Sequence, residues 1–274
     1  MTRKELIPLL ADLGVRPNRK LGQNFLVDRN LLEAIVREAA PARKEHILEI
    51  GEGTGGLTKR LLESGCRVTA VEIDHRLAPY LRKRFAAQER FELIEADACD
   101  LDFEQIMGRG DWRCISNLPY AAGSVVLAHL SELETPPSEM LVLVQREVAD
   151  RLCAGPDSKQ YGMLSVCVGL VFQARLLRSV PPQVFYPRPQ VASALVQLRR
   201  HEKYLPKQQR AAAAGIARKG FSQRRKQLAK LLAGEWGRDA VIRAFQSLGI
   251  PSDVRAEQLP VSVFVRLAGC LRAD

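Results

Sequence analysis

One junction constrains the fold of this chain more than any other. The apolar run His46-Ile47-Leu48-Glu49-Ile50 passes directly into Gly51-Glu52-Gly53-Thr54-Gly55-Gly56, and a helical pattern resumes over about 57–64, ended by Gly65. A short β-favouring run, a turn of glycines and then a helix make a strand–turn–helix unit, and the same alternation continues downstream. The segments 67–74 (RVTAVEID), 91–97 (FELIEAD), 112–117 (WRCISN) and 139–145 (EMLVLVQ) read as strands, with helices expected over about 75–87 and 123–134. Strands of nearly continuous Val, Ile and Leu that alternate with helices predict an α/β fold, a parallel sheet covered on both faces with right-handed crossovers. Upstream, Leu32, Ile35, Val36 and Ala39 form a helical stripe over 29–40, with Asp28 placed to cap it. Downstream, 164–173 fits either a strand or a buried helix, and 193–200 (SALVQLRR) is a late strand after a proline-rich loop. Helices are expected over 208–233, 235–248 and about 260–271. The chain therefore divides into a sheet domain over 1–202 and a smaller all-helical domain over 203–274, with the boundary near 200–206.

Charge marks the same boundary. The 274 residues are 46% hydrophobic and 26% charged, ordinary usage for a globular chain, but the net charge is +10. From Arg199 to Gly234 lie Arg199, Arg200, Lys203, Lys207, Arg210, Arg218, Lys219, Arg224, Arg225, Lys226 and Lys230, against the single acid Glu202, so this stretch holds the whole excess. Such a concentration suits a polyanion, either nucleic acid or an anionic membrane surface; the plainer alternative is a solvated helix face. The six cysteines are scattered with no Cys-x-x-Cys pair, and read as buried thiols of a reducing cytoplasm, with neither a disulfide framework nor a metal site expected. The first residues hold too short an apolar run for a secretory leader, and the most apolar stretch, 163–172, is too short to cross a bilayer. A cytoplasmic, monomeric protein with no membrane association is the expectation.

In an open α/β sheet ligands bind where the strands end at their carboxyl side. Gly51, Gly53 and Gly56 satisfy the spacing of a dinucleotide turn, whereas Gly51, Gly53 and Gly55 equally satisfy that of an S-adenosylmethionine turn. Glu72 closes the next strand, 21 positions after Gly51, where a carboxylate accepts hydrogen bonds from ribose hydroxyls of either ligand. Asp97 ends the third strand in the same layer and is placed to accept from an adenine amine, or simply to cap its loop. An adenosine-containing cofactor follows, but the turn does not choose the chemistry.

The tetrapeptide after the fourth strand, Asn117-Leu118-Pro119-Tyr120, narrows it. The lone pair of an exocyclic ring amine is delocalised, so the nitrogen is a poor nucleophile. An Asn side-chain carbonyl and a backbone carbonyl that accept its two N–H bonds favour the reactive, pyramidal form. Proline pre-sets the backbone that aims the preceding carbonyl, and tyrosine offers a face on which a base stacks. No strong base is required, because the nitrogen becomes acidic as it gains a methyl group. The plain alternative is a strand-to-helix turn.

At these residues the chain resembles the ribosomal RNA adenine dimethyltransferases of the KsgA/RsmA type, along essentially its full length. Residues 21–26 (LGQNFL), 49–55 (EIGEGTG), 71–74 (VEID), 95–97 (EAD), 117–120 (NLPY), 184–193 (VFYPRPQVAS) and 221–226 (FSQRRK) match the family's motifs in order. The resemblance implies a Rossmann-like S-adenosylmethionine-dependent methyltransferase sheet with a C-terminal helical domain that holds RNA. It implies dimethylation at N6 of two adjacent adenines near the 3′ end of 16S small-subunit ribosomal RNA, on the RNA or the immature 30S subunit, with a role in small-subunit biogenesis. By the same resemblance Asn24 and Leu26 join Gly51, Gly53, Glu72, Asp97 and Asn117 at the cofactor. Tyr120 and Phe185 flank the target adenine, and the basic segment Arg218, Lys219, Arg224, Arg225 and Lys226 grips phosphates. Two departures stand out: Glu52 occupies a position where Pro is usual, and Ala121-Ala122-Gly123 are smaller than the family's usual residues. The related large-subunit (23S) methyltransferases that confer macrolide resistance share the catalytic motifs. An assembly factor acting mainly by binding, or an NAD oxidoreductase, are further alternatives, although no histidine sits in a hydride-transfer motif.

Overall fold

The computed structural model describes residues 1–18 and 20–271. The chain forms α1 (Arg3–Asp12), β1 (Phe25–Leu26), α2 (Arg29–Ala39), β2 (His46–Ile50), α3 (Gly56–Glu63), β3 (Arg67–Glu72), α4 (Leu77–Arg84), β4 (Phe91–Glu95), α5 (Phe103–Met107), β5 (Arg113–Asn117), α6 (Gly123–Glu132), β6 (Glu139–Gln145), α7 (Arg146–Leu152), α8 (Met163–Gly169), β7 (Phe172–Val180), β8 (Phe185–Tyr186), β9 (Ser193–Arg200), α9 (Lys207–Phe221), α10 (Leu228–Trp236), α11 (Arg238–Leu248) and α12 (Val261–Cys270). A seven-stranded sheet runs β4-β3-β2-β5-β6-β9-β7. The strands β4 to β6 are parallel, as expected; the apolar residues of β2, β3, β5 and β6 are buried, as in a sheet covered on both faces, whereas those of the edge strand β4 are half-buried. The sheet is not parallel throughout: β9 pairs antiparallel with β6, Leu143 opposite Leu195. Parallel pairing needs a crossover that returns the chain to the same end of the sheet. Here β9 follows its neighbour, the edge strand β7, and enters the sheet from the opposite end to β6.

The strand order places the switch point. The chain builds outward from β2 to β3 and β4, then returns so that β5 lies on the other side of β2. The crevice beyond the carboxyl ends of β2 and β5 is therefore where a ligand would be expected. Asp28 caps α2 by accepting from the Leu31 N–H at 2.8 Å, and Leu32, Ile35 and Ala39 bury the predicted face.

Two compact units emerge from the packing. Of the described residues, one unit comprises those within Met1–Leu127, Pro137–Ala149 and Arg175–Arg199; the other comprises Ala128–Pro136, Asp150–Ala174 and residues 200–271. The step at 199/200 lies within a few residues of the boundary expected from sequence, but the second unit also draws on two earlier segments. Its core includes Tyr161, Phe221 and Phe264, with ring centroids 5.9 Å apart for the first pair and 6.1 Å for the second. The expected helix over 208–233 is broken: α9 stops at Phe221 and α10 starts at Leu228. The Ser222 hydroxyl donates to the Lys219 carbonyl at 2.6 Å, and the Leu228 N–H goes to Val254 instead of back along a helix. The ambiguous stretch 164–173 is both readings in turn, α8 followed by the start of β7. Cys66, Cys114 and Cys167 are buried as expected, whereas Cys153 and Cys270 are exposed. No helix among the described residues is long and apolar enough to cross a membrane.

Candidate functional site

A cavity of about 230 Å³ opens at the carboxyl ends of β2 to β5. Asn24, Leu26, Gly51, Gly53, Glu72, Asp97, Asn117, Leu118, Pro119 and Tyr120 all line it, so the strand ends and the first loop converge there. The glycines are needed for packing as much as for ligand access. Gly51 has φ +69°, and a Cβ there would lie 2.6 Å from Cγ and 2.9 Å from Cδ of Pro119. A Cβ on Gly22 would meet the backbone N of Ala121 at 2.5 Å, and one on Gly53 the Phe25 ring at 2.9 Å. The turn after β2, the turn after β5 and the 21–26 loop thus form one interlocked wall. The amide of Gln23 fastens it further by donating to Asp74 Oδ2 at 2.8 Å.

Glu72 lines the cavity, but it already works for the protein. Its Oε2 accepts from the Gly53 N–H at 3.0 Å and its Oε1 from the Asp74 N–H at 3.0 Å, which ties the glycine turn to the end of β3. A carboxylate oxygen retains a second lone pair, so both atoms keep capacity for hydroxyl donors. Burial pushes the Glu72 carboxyl up to about 7 against the pull of these amides. Asp97 accepts from the Cys99 N–H at 2.8 Å through one oxygen, the loop-capping role, and still faces the cavity.

Asn117 is the most informative side chain. Its Nδ2 donates to the Asn24 carbonyl at 3.2 Å, which fixes the amide orientation, while its Oδ1 is shielded from solvent and accepts no hydrogen bond. An unpaired carbonyl oxygen on a cavity wall is costly unless a donor arrives. Tyr120 is tethered through its hydroxyl to Ser193. Burial raises its phenol, with the Ser193 hydroxyl opposing. Phe185 is brought to Tyr120 but not to the cavity. It is 3% exposed, pairs with Leu26 across the β1–β8 ladder, and meets Tyr120 edge-on with centroids 6.3 Å apart at 71°. Two rings so crossed leave no slot for a base between them.

Sequence reasoning flagged Glu52 only as a departure and missed Glu49. Both are buried in the cavity wall, and burial pushes Glu49 up to about 8. The signal for Glu49 was present, since an acid interrupts an otherwise apolar central strand. In the second unit, Arg224 is committed internally, to Glu257 at 3.0 Å and to the carbonyls of Lys159 and Tyr161 at 3.2 Å. Arg218 and Lys219 face Glu132 at 3.7 Å and Glu235 at 3.6 Å, and Arg225 and Lys226 stand exposed in the turn between α9 and α10.

A pocket at the switch point, with an acid at the end of β3 and an unsatisfied amide carbonyl at the end of β5, suits an adenosyl cofactor beside an amine acceptor. This is the arrangement of an S-adenosylmethionine-dependent methyltransferase. The fold agrees: the structure superposes on the crystal structure of a dimethyladenosine transferase from Plasmodium falciparum with a TM-score of 0.75 at 23% identity, over 89% of this chain and 95% of that one. It likewise superposes on the 23S rRNA methyltransferase ErmE with a TM-score of 0.67 at 24% identity, over 91% and 100%. The chain belongs to the ribosomal RNA adenine dimethylase family, whose model matches residues 14–272. Similar proteins include ribosomal RNA small subunit methyltransferase A of Methylococcus capsulatus, 37% identical over 92% of this chain and 96% of that protein. That of Brucella abortus biovar 1 is 41% identical over 93% of each. The cofactor is accordingly S-adenosylmethionine.

Proposed function

We propose that this protein dimethylates N6 of two adjacent adenines near the 3′ end of small-subunit ribosomal RNA, as a cytoplasmic monomer acting on the RNA or on the immature subunit. The observation that carries the reading is the unpartnered Oδ1 of Asn117 in the cavity wall. The site residues fit the cofactor: the glycine turn brings backbone to the cavity, and Glu72 and Asp97 keep acceptor capacity there. When bound, S-adenosylmethionine supplies an electrophilic methyl group on a cationic sulfur.

The chain's own residues do the rest. Asn24, Leu26, Gly51 and Gly53 shape the cofactor wall, Glu72 accepts ribose hydroxyls, and Asp97 accepts the adenine amine. Asn117 Oδ1 and the Leu118 carbonyl accept the two N–H bonds of the target amine, and the ring of Pro119 holds that carbonyl in place. Fixed dipoles of this kind act without reorganisation, and removing one costs about 10²–10³ in rate. Tyr120 stacks on the target base. For Phe185 to cover the other face, its edge-on contact with Tyr120 must open. Ala121 and Ala122 line the cavity and leave room beside the amine for a first methyl group. The second unit supplies phosphate contacts through Arg218, Lys219, Arg225 and Lys226, while Arg224 shapes the turn that presents them. Relatives over nine-tenths of the chain that carry the small-subunit name support this substrate over large-subunit RNA.

The test is mass spectrometry of ribosomal RNA from cells with and without the gene. Dimethyladenosine lost from the small-subunit RNA is the expected result. Loss from large-subunit RNA instead, or no loss, refutes the assignment.

A further inference from the structure

The cavity carries an excess of acid. Glu49, Glu52, Glu72 and Asp97 line it, and Lys20 is the only cation among the described residues that do so. The neutral titratable groups Cys99 and Tyr120 complete the set that faces it. Glu72 and Asp97 are occupied by backbone N–H donors. Glu52 is not. It stands at the second position of the glycine turn, 7% exposed, and both of its carboxyl oxygens are shielded from solvent and accept no hydrogen bond. Burial, then the nearby carboxyls of Glu72 and Glu49, hold it protonated well above the usual carboxylate range. A partnerless buried carboxyl in a wall this acidic is matched to a ligand of net positive charge. S-Adenosylmethionine is such a ligand, because its sulfonium adds a cation to the balanced ammonium and carboxylate of its amino-acid end. The demethylated product, S-adenosylhomocysteine, has lost that charge.

Resting on the reading of this cavity as the S-adenosylmethionine site, we propose that Glu52 is a specificity-determining residue that ionises when the cationic cofactor binds, and so favours cofactor over the uncharged-sulfur product. The proton leaves to solvent on binding. A carboxyl with a high pKa in the free protein and a lower one beside the cation makes affinity rise with pH between those two values, by up to about tenfold per pH unit.

The experiment is calorimetric titration of the full chain with S-adenosylmethionine and with S-adenosylhomocysteine from about pH 6 to about pH 9, in buffers of different ionisation enthalpy. The expected result is a dissociation constant for S-adenosylmethionine that falls at least about threefold across this range, with a buffer-dependent heat that reports proton release, and a clearly smaller response for the product. Glu52→Gln should bind S-adenosylmethionine at low pH about as well as the parent and lose most of the pH response. A flat, buffer-independent profile in the parent overturns the inference while leaving the cofactor site intact. So does an equal response to both ligands, or an undiminished slope in Glu52→Gln. Failure of the parent to bind either ligand overturns the cofactor reading and this inference with it. Glu49 and Glu72 line the same cavity and are also pushed up by burial, so Glu49→Gln is the second variant: it should keep the pH response, and loss of the response there overturns the assignment to Glu52.

Discussion

Replacing Gly51 by alanine tests the interlocked wall directly. The residue lies at φ +69°, where an alanine costs about 1–2 kcal/mol in backbone strain. Its new Cβ would sit 2.6 Å from Cγ of Pro119, about 0.8 Å short of the 3.4 Å at which ordinary contact begins. Pro119 is a ring with no freedom to swing aside, so the overlap adds about 1–3 kcal/mol. Gly14 supplies the control in the same unit, since its φ is +63° and a Cβ there meets nothing within 4 Å. Gly14→Ala should therefore cost only the strain, and Gly51→Ala about 2–5 kcal/mol in all. At roughly 2–4 °C per kcal/mol, thermal unfolding should separate the two variants by several degrees. Relief of the overlap must move the 117–120 turn by a good fraction of an ångström, and misplacement on that scale costs roughly 10- to 100-fold in rate. Methyl transfer to small-subunit RNA, followed with labelled cofactor, should show that loss in Gly51→Ala and not in Gly14→Ala. Equal melting shifts, or full activity in Gly51→Ala, would refute the contact between the two turns.

Asn117→Ala should lose about 10²–10³ in turnover while it still binds RNA, measured by single-turnover kinetics beside a filter-binding assay; unchanged turnover removes the amide from the reaction. In the cofactor-free protein Glu49 stays protonated up to about 8, whereas its unfolded value is 4.5, so the unfolded state sheds a proton the native state keeps. Stability should then fall as pH rises from 4.5 to about 8, and Glu49→Gln should flatten that fall in urea midpoints taken across the range. Reversing Arg225 and Lys226 to Glu should weaken RNA binding and lower its salt slope by roughly one per lost phosphate contact, with melting unchanged. Arg224→Glu should lower the melting temperature as well, because it breaks the contacts to Glu257, Lys159 and Tyr161.

The strands and the cavity wall were legible because their signals are local. Continuous apolar runs mark β2, β3 and β6, and Gly51, Glu72, Asp97 and Asn117 each fall at the end of a strand, where one topology brings them together. What escaped depends on partners distant in sequence. The antiparallel pairing of β9 is set by the end of the sheet at which the chain arrives, not by its own residues. The break between α9 and α10 depends on Val254, which takes the Leu228 N–H, and nothing in 208–233 alone announces it. Phe185 shows the same limit from the other side. Its motif sets it across the target adenine from Tyr120, whereas the fold brings the two rings edge-on, and only the β1–β8 ladder reveals that the Phe185 ring is packed away from the cavity.

The same distinction separates charge from contact. The excess of the basic segment was counted from sequence as a single quantity, yet its members do different work. Arg199 pairs with Glu139 at 3.1 Å on β6. Arg210 is 3% exposed and gives its guanidinium to the carbonyls of Leu205, Ser131 and Leu133, a clamp inside the second unit. Arg224 is bound into the 222–227 turn. A guanidinium so engaged retains its charge and adds to the field that draws a polyanion in, but each N–H it gives to a carbonyl or carboxylate of the chain is one fewer for a phosphate, and the buried Arg210 is withdrawn altogether. Long-range attraction should therefore reflect the whole segment, whereas the salt slope should count only the side chains that reach the backbone of the RNA. Arg225 and Lys226 are exposed on the turn that Arg224 braces, so the internally committed arginine and the outward cations form one device: the first holds the loop in shape and the second present their charge from it.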